Sequence, residues 1–350
     1  MLEPAARAAD PPGRVAVELR VLLVEETGAA GAVVLGAGLF FLALGWFLGS
    51  VVKAAAAGAL VGWLVKADVT EPAIYAASLG ALLAARDMSG DFDRDANGLK
   101  RGSFDLVHGL MFVCFTDAPP ALDSCKRDLA EPMAMFGFED LKVAANKTYE
   151  IPANWKLCIE NYQECYHCAT AHPDYARMHT LTLTYEQRAR MRDELRERMP
   201  ACGVREFEFD FIDTAARPGE MGYGYSRTAM FNGFQTGSRD GKPLAPLLGK
   251  LRDYDGGASD FTLGGFSFLL AYSDHVVCYV FTPVDPTNCR CDIYWMVRGD
   301  AEEGSDYDVE KLTWLWDVTT QADKTIIVNN WKGVQSRYYS PGPFSEMEKA

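Results

Sequence analysis

The chain has 350 residues, with 48 acidic side chains, 34 basic side chains and a formal net charge of −14. This length allows two domains with a substantial buried core, and the negative charge argues against nucleic acid as a partner. Nine cysteines without regular zinc or disulfide spacing predict reduced thiols and a cytoplasmic protein.

The N-terminal region is strongly apolar. Residues 28–52, GAAGAVVLGAGLFFLALGWFLGSVV, contain no charged side chain and exceed the roughly 18 to 20 apolar positions that span a bilayer. A shorter apolar run, 54–65, follows Lys53. Two interpretations of residues 28–65 stay open. The segment is either a membrane anchor, which would make the protein membrane-associated, or a pair of buried glycine-rich helices.

The next part of the chain predicts a mixture of helices and strands. Residues 104–116, FDLVHGLMFVCFT, are typical of a strand pair with a turn at His108 and Gly109. Helices are predicted over 125–136 and over the charged run 186–199. The many glycines between Gly219 and Asp260 predict a loop.

The C-terminal third predicts three antiparallel strands and one long helix. The strands are FSFLLAYSD, VVCYVFTPVD and CDIYWMVRGD, whose alternation and β-branched and aromatic content suit a sheet. A helix is predicted from near Asp308 to a stop at Gly333. On it Asp323 shares an otherwise apolar stripe with Trp316, and a carboxylate there needs a partner. Metal binding and a salt bridge both stay open, with Asp317 as the rival carboxylate.

The most informative segment spans residues 154–179, NWKLCIENYQECYHCATAHPDYARMH. On a helix Glu164 and His167 would share a face, whereas His172 would lie about 140° away from His167. A bend before Pro173, or a π-type widening near His167, would bring the two rings together. Two histidines and a carboxylate with open positions are typical of non-haem Fe(II) sites that activate oxygen.

The run NWKLCIENYQECYHCATAHP resembles the mononuclear-iron motif of the catalytic (alpha) subunits of Rieske non-haem iron oxygenases. Its ECYHC part resembles the branch that acts on quaternary amines such as glycine betaine or carnitine. The segment LTWLWDVTTQADKTIIVNNWKGVQSRYYSPGPFS resembles the closing part of the same family. The resemblance implies an α+β fold with a helix-grip (START-like) catalytic domain, in which a curved antiparallel sheet surrounds a long C-terminal helix. It also implies mononuclear Fe(II) held by His167, His172 and Asp323, with Glu164 as the catalytic carboxylate that connects the site to an electron donor.

The family also carries a [2Fe–2S] cluster that is held by two cysteines and two histidines. This sequence has no cysteine before Cys114 and no histidine before His108, so the cluster ligands are missing. Residues 88–120 nevertheless resemble the strands that close the cluster-binding domain. We therefore divide the chain into an atypical apolar region, 1–87, a remnant of those closing strands, 88–120, and a catalytic mononuclear-iron domain, 121–350.

The function that the resemblance implies is an oxygenase component. It would use Fe(II) and O2 to hydroxylate or N-dealkylate a small substrate, either a quaternary amine or an aromatic ring. The implied partners are a reductase or ferredoxin and further copies of the chain in a homotrimer. Candidates for cation–π contact with an amine are Tyr162, Tyr166, Phe266, Phe268 and Tyr272. Two alternatives stay open: a non-catalytic relic of the family, and a membrane-tethered helix-grip protein that binds a hydrophobic ligand.

Overall fold

The computed structural model describes the strand β1, Arg20–Leu23, and residues 102–208, 217–231 and 233–343. The chain divides into two compact units, residues 22–101 and residues 1–21 with 102–350. Apart from β1, the predicted apolar region 1–87 lies outside the described residues, as does the 88–101 part of the predicted remnant. No helix in the part of the chain that the structure describes is long and apolar enough to cross a membrane.

A β-hairpin opens the larger described part. Strand β2, Ser103–Val107, pairs antiparallel with β3, Leu110–Cys114. The two residues between them have positive φ angles, 46° at His108 and 86° at Gly109. Two-residue turns of this left-handed kind match the twist of paired strands, which confirms the predicted strand pair and its turn.

Six helices accompany the strands in the described part of the chain. They are α1, Asp123–Phe136; α2, Trp155–Gln163; α3, Cys168–Ala171; α4, Pro173–Met178; α5, Tyr185–Arg198; and α6, Val309–Val334. Helix α6 begins where the Asp308 side chain accepts a hydrogen bond from the backbone N–H of Lys311 at 2.9 Å. The predicted stop at Gly333 is slightly early, because Gly333 lies inside the last turn and Gln335 caps the helix.

The main sheet is antiparallel and has the strand order β4-β9-β8-β7-β6-β5. Its strands are β4, Leu141–Ile151; β5, Tyr223–Ala229; β6, Gly257–Leu263; β7, Ser267–Ala271; β8, Val276–Asp285; and β9, Asn288–Arg298. The prediction of a loop from Gly219 to Asp260 is wrong at β5 and at the start of β6. These two strands pair with each other, and their glycines had hidden the tyrosines, threonines and phenylalanine that suit a strand.

The core lies between one face of the sheet and the helices α2 and α6. Alternate residues of the strands point into it, as the period of two in a strand requires. Among them are Phe268, Leu270, Val277, Tyr279, Ile293 and Trp295, which join Leu312, Leu315, Trp316 and Ile327 of α6. The long helix is therefore fixed against the sheet, and a polar residue on its inner side is held in place by this packing.

On the opposite face, a buried ion pair connects β5 to the segment before β6. The side chains of Arg227 and Asp255 are 3% and 0% exposed and make two hydrogen bonds of 2.9 and 2.5 Å. Arg227 also donates to the hydroxyl of Ser259 at 2.8 Å. The guanidinium group of Arg227 is therefore held by Asp255 and Ser259 on the face of the sheet that points away from α6.

Replacing Asp255 by alanine is expected to lower the free energy of unfolding by about 3–5 kcal/mol, because Arg227 would remain buried without its counter-charge. Urea denaturation followed by circular dichroism measures the change. Asp300→Ala is the matched control: Asp300 and Arg298 are 70% and 42% exposed, so water screens their attraction and the variant should lose far less stability. Equal losses in the two variants would contradict the structural role of the buried pair.

Candidate metal centre

The segment that carries the predicted site is broken into short pieces. Helix α2 starts at Asn154, whose side chain accepts a hydrogen bond from the backbone N–H of Lys156 at 3.0 Å. It ends before Glu164, which has extended backbone angles (φ −94°, ψ 145°). The expectation that Glu164 and His167 share a face of one continuous helix is therefore wrong, and a break in the helix takes the place of a π-type widening.

A second break lies at His172. Its backbone (φ −125°, ψ 69°) is outside the α region, as expected for a residue that precedes proline, and α4 starts afresh at Pro173. The two breaks turn the imidazole rings of His167 and His172 toward each other. Their Nε2 atoms lie 3.2 Å apart.

Asp323 reaches the same point from α6. Its Oδ1 atom lies 3.1 Å from Nε2 of His167 and 2.8 Å from Nε2 of His172. The rival carboxylate, Asp317, has other partners: it accepts a hydrogen bond from the hydroxyl of Tyr149 at 2.5 Å and pairs with Lys147 at 3.0 Å. The structure thus brings together the three predicted ligands, although Asp323 lies more than 150 residues after the two histidines in the sequence.

The three facing atoms fit one divalent metal ion. Neighbouring ligands in octahedral geometry, with bonds of about 2.1 Å at right angles, lie about 3 Å apart. The distances between the two Nε2 atoms and the carboxylate oxygen, 2.8 to 3.2 Å, agree with three ligands on one face of such an octahedron. That arrangement leaves the opposite face for other ligands.

Cys168 is an alternative to Asp323 as the third metal ligand. A ligand atom from each of His167, Cys168 and His172 lies within 4.8 Å of the others. However, the Cys168 thiol lies 2.8 Å from that of Cys165, and this contact together with burial raises the pKa of Cys168. Metals bind the thiolate, so the neutral thiol is the weaker candidate and the ionised Asp323 the stronger.

Glu164 orients the first histidine. Its carboxylate accepts a hydrogen bond from Nδ1 of His167, and both side chains are largely buried. Glu164 thus holds a proton on Nδ1, and Nε2 is the nitrogen that faces His172 and Asp323, as a metal ligand requires. A break in the helix, rather than helical spacing, brings Glu164 to this position.

The local electrostatics favour a cation. The hydrogen bond that the protonated ring of His167 donates from Nε2 to Asp323 raises the pKa of His167 to about 9, against the effect of burial and with further help from Glu164. A bound metal ion would take the place of that proton on Nε2. Burial alone would raise the pKa of Asp323, but the hydrogen bonds from His167 and His172 hold it below its usual value. Asp323 and Glu164 therefore place negative charge on both sides of the imidazole of His167.

One polar neighbour of the centre was missed from the sequence. The side-chain amide of Asn161 lies 3.4 Å from Nε2 of His167 and is buried. It sits on α2 one turn before Glu164, and no pattern in the sequence separates it from an ordinary helix asparagine. The amide is close enough to interact with a group that is bound at the centre.

Aromatic side chains surround the space beside the centre. Tyr162 stacks on Phe268, with ring centroids 4.2 Å apart. Tyr175 stacks on His179 at the same separation, and Nε2 of His179 lies 2.9 Å from the hydroxyl of Tyr272. Burial lowers the pKa of His179 to about 3, so its ring is neutral.

Of the five aromatic residues predicted to contact a cation, Tyr162, Phe268 and Tyr272 belong to this aromatic group. The other two do not: Tyr166 is 60% exposed, and Phe266 packs against Trp155 at 5.1 Å. The sequence reasoning also missed Tyr175 and His179, because their positions depend on where α4 starts.

Comparison with known proteins gives consistent matches. Residues 138–350 match the family model described as the ring hydroxylating alpha subunit, catalytic domain. The oxygenase subunit of glycine betaine monooxygenase from Chromohalobacter salexigens is 34% identical over 266 residues, which cover 75% of this chain and 59% of that protein. The subunit of the same name from Pseudomonas aeruginosa is 30% identical over 266 residues, with coverages of 76% and 62%.

The chain thus spans about three fifths of the length of these relatives. Among solved structures, a quaternary ammonium Rieske monooxygenase, CntA, matches with 16% identity and a TM-score of 0.49, covering 73% of this chain and 58% of that one.

Proposed function

Because the chain belongs to the ring hydroxylating alpha-subunit family, we propose that residues 121–350 form the catalytic domain of a mononuclear non-haem iron oxygenase acting on a small quaternary amine. The observation that carries this proposal is the triangle formed by Nε2 of His167, Nε2 of His172 and Oδ1 of Asp323. In this proposal the domain is a helix-grip fold, with the sheet curved around α6. The names of the relatives support the choice of substrate class.

His167, His172 and Asp323 would hold Fe(II), which when bound activates dioxygen for the insertion of one oxygen atom into a substrate C–H bond. Glu164 keeps the proton on Nδ1 of His167, so that Nε2 remains a donor. In this proposal the partly accessible rings of Tyr162 and Tyr175 position the substrate, and the fully buried Tyr272 packs against His179, on which Tyr175 stacks.

The electrons must come from a partner. Oxidation of an N-methyl group with one atom of O2, and reduction of the other atom to water, consumes two electrons and two protons beyond those of the substrate. This sequence contains no set of [2Fe–2S] ligands, so we propose that a reductase or ferredoxin supplies the electrons on the side of His167 that Glu164 occupies.

We further propose a homotrimeric assembly, and a cytoplasmic location because all nine cysteines are free.

The missing cluster ligands favour one alternative, a relic that keeps the fold and the metal but has lost turnover. The membrane anchor predicted for residues 28–65 stays a prediction, and with it the alternative of a tethered binding protein. Metal content and oxygen consumption distinguish the oxygenase, the relic and the binding protein.

The test uses the full chain loaded anaerobically with Fe(II), a chemical or protein reductant, and glycine betaine or carnitine. We expect substrate-dependent O2 uptake with release of formaldehyde when an N-methyl group is oxidised. Bound iron without uptake would identify a relic. A chain that binds no iron would contradict the oxygenase proposal and favour a binding protein.

A further inference from the structure

Asp260 is a carboxylate in the middle of the sheet that points into the domain. On β6 it alternates with Ala258, a member of the core that packs against α6, so both side chains face the same way. Its register partner on β7 is Leu270, which belongs to the same core. Asp260 therefore lies on the face of the sheet that looks toward α2, α6 and the candidate metal centre.

No described residue neutralises this carboxylate. Within residues 102–208, 217–231 and 233–343, no hydrogen bond or ion pair joins the Asp260 side chain to another residue. Arg227 lies on the neighbouring strand, but it points to the other face and is bound by Asp255. Burial raises the pKa of Asp260 to about 7, with Arg227 opposing the rise. A charge in such a place needs a cation as a partner.

The surroundings of Asp260 are aromatic. Thr262, two residues after Asp260 on the same face of β6, pairs with Phe268, on which Tyr162 stacks at 4.2 Å, and Tyr272 follows Ala271, the partner of Ser259. Burial raises the pKa values of Tyr162, Tyr175 and Tyr272, and the negative charge of Asp260 adds to each rise. Asp260 also acts on the thiol of Cys165, two residues before His167. The carboxylate and the rings therefore lie on the side of the domain interior that adjoins the metal centre.

Asp260 and two of the rings are not fully enclosed by packing. Asp260 lies on the core face of the sheet, and Tyr162 and Tyr175 pack against the core, yet each of the three side chains keeps part of its surface accessible, whereas Tyr272 is fully buried. Tyr162 and Tyr175 can therefore contact a bound group directly, beside a carboxylate that has no partner among the described residues.

We propose that Asp260, with the partly accessible rings of Tyr162 and Tyr175, forms the binding site for the quaternary ammonium group of the substrate. The inference rests on the proposed function and makes its substrate class specific. A quaternary ammonium group has no N–H to donate, so it is recognised by negative charge and by the faces of aromatic rings, both of which are present here. A cation beside Asp260 would favour its ionised form and pair with it, whereas a neutral aromatic substrate would offer no charge to pair with and leave the carboxyl to take up a proton. The site therefore favours an onium compound over an aromatic ring.

The test is calorimetric binding to the full chain, loaded anaerobically with Fe(II) and kept without reductant. The probes are glycine betaine and 3,3-dimethylbutanoate, in which carbon replaces the quaternary nitrogen. We expect the wild-type protein to bind glycine betaine at least about 10-fold more tightly than the carbon isostere. Asp260→Asn should remove most of this preference while leaving the iron content unchanged.

Asp292→Asn is the matched control. Asp292 is a largely buried carboxylate on β9, but it already has partners in Arg290 at 2.8 Å and Thr148 at 2.6 Å, so its replacement should leave the preference intact. An Asp260→Asn variant that still prefers glycine betaine as strongly as the wild type would overturn the inference, as would a wild type that binds both probes equally. Selective binding of glycine betaine without oxygen turnover would instead support the proposed binding site and contradict the oxygenase proposal.

Discussion

Replacing His172 by alanine is expected to lower bound iron from about one ion per chain to about a tenth of that or less. The change removes one of three ligands, and even the loss of an outer partner of a ligand commonly costs 10- to 100-fold in metal affinity. Asp323→Asn should have a similar effect, because the neutral amide is a weaker donor than the carboxylate. Iron is measured colorimetrically after anaerobic loading with Fe(II) and desalting.

The control is His108→Asn. This histidine lies in the hairpin turn, where its ring contacts the backbone carbonyl oxygen of Lys126 at 3.2 Å, and asparagine tolerates its positive φ of 46°. Its replacement should leave iron binding unchanged. Iron retained in Asp323→Asn but lost in Cys168→Ser would contradict the proposed ligand set and assign the third position to the thiolate.

Replacing Glu164 by glutamine is expected to reduce turnover with a protein electron donor by about 100-fold while most of the iron stays bound. The amide oxygen can still accept the hydrogen bond from Nδ1 of His167, so the ring keeps its orientation. The variant loses the negative charge, and it replaces one acceptor oxygen by an N–H group that cannot accept a hydrogen bond from a partner. Steady-state oxygen uptake with the protein donor measures the effect.

A chemical reductant separates electron delivery from the structure of the site. Single-turnover product formation with dithionite should fall much less in Glu164→Gln than turnover with the protein donor. Asp174→Asn is the control, since Asp174 is a nearby carboxylate that pairs with Arg177 at the surface. Equal losses with both reductants would mean that Glu164 only supports the metal centre and does not connect it to a donor.

Local patterns predicted the elements that need little tertiary information. The turn at His108 and Gly109, the three C-terminal strands and the long helix all follow from turn residues and hydrophobic periodicity. The same periodicity placed Asp323 on the inner stripe of α6. Here a carboxylate among apolar residues was the signal, and packing against the sheet fixed its direction.

The remaining features depend on contacts between distant parts of the chain. Strand β5 contains two tyrosines and a threonine that suit a strand, but Gly224 and the glycines before it obscure the pattern, and its pairing with β6 defines it. The break at Glu164 cannot be read from the spacing of Glu164 and His167, because a helix would also place them close together. Asp260 fell within a predicted loop, so neither its strand nor its missing partner could be recognised before the sheet was known.

Anomalous diffraction at the iron absorption edge, from crystals grown after Fe(II) loading, is the most direct measurement of the central claim. We predict one peak within about 2.3 Å of Nε2 of His167, Nε2 of His172 and a carboxylate oxygen of Asp323. An iron peak bound by any other set of side chains, or crystals of iron-loaded protein without a peak between these three residues, would contradict the account.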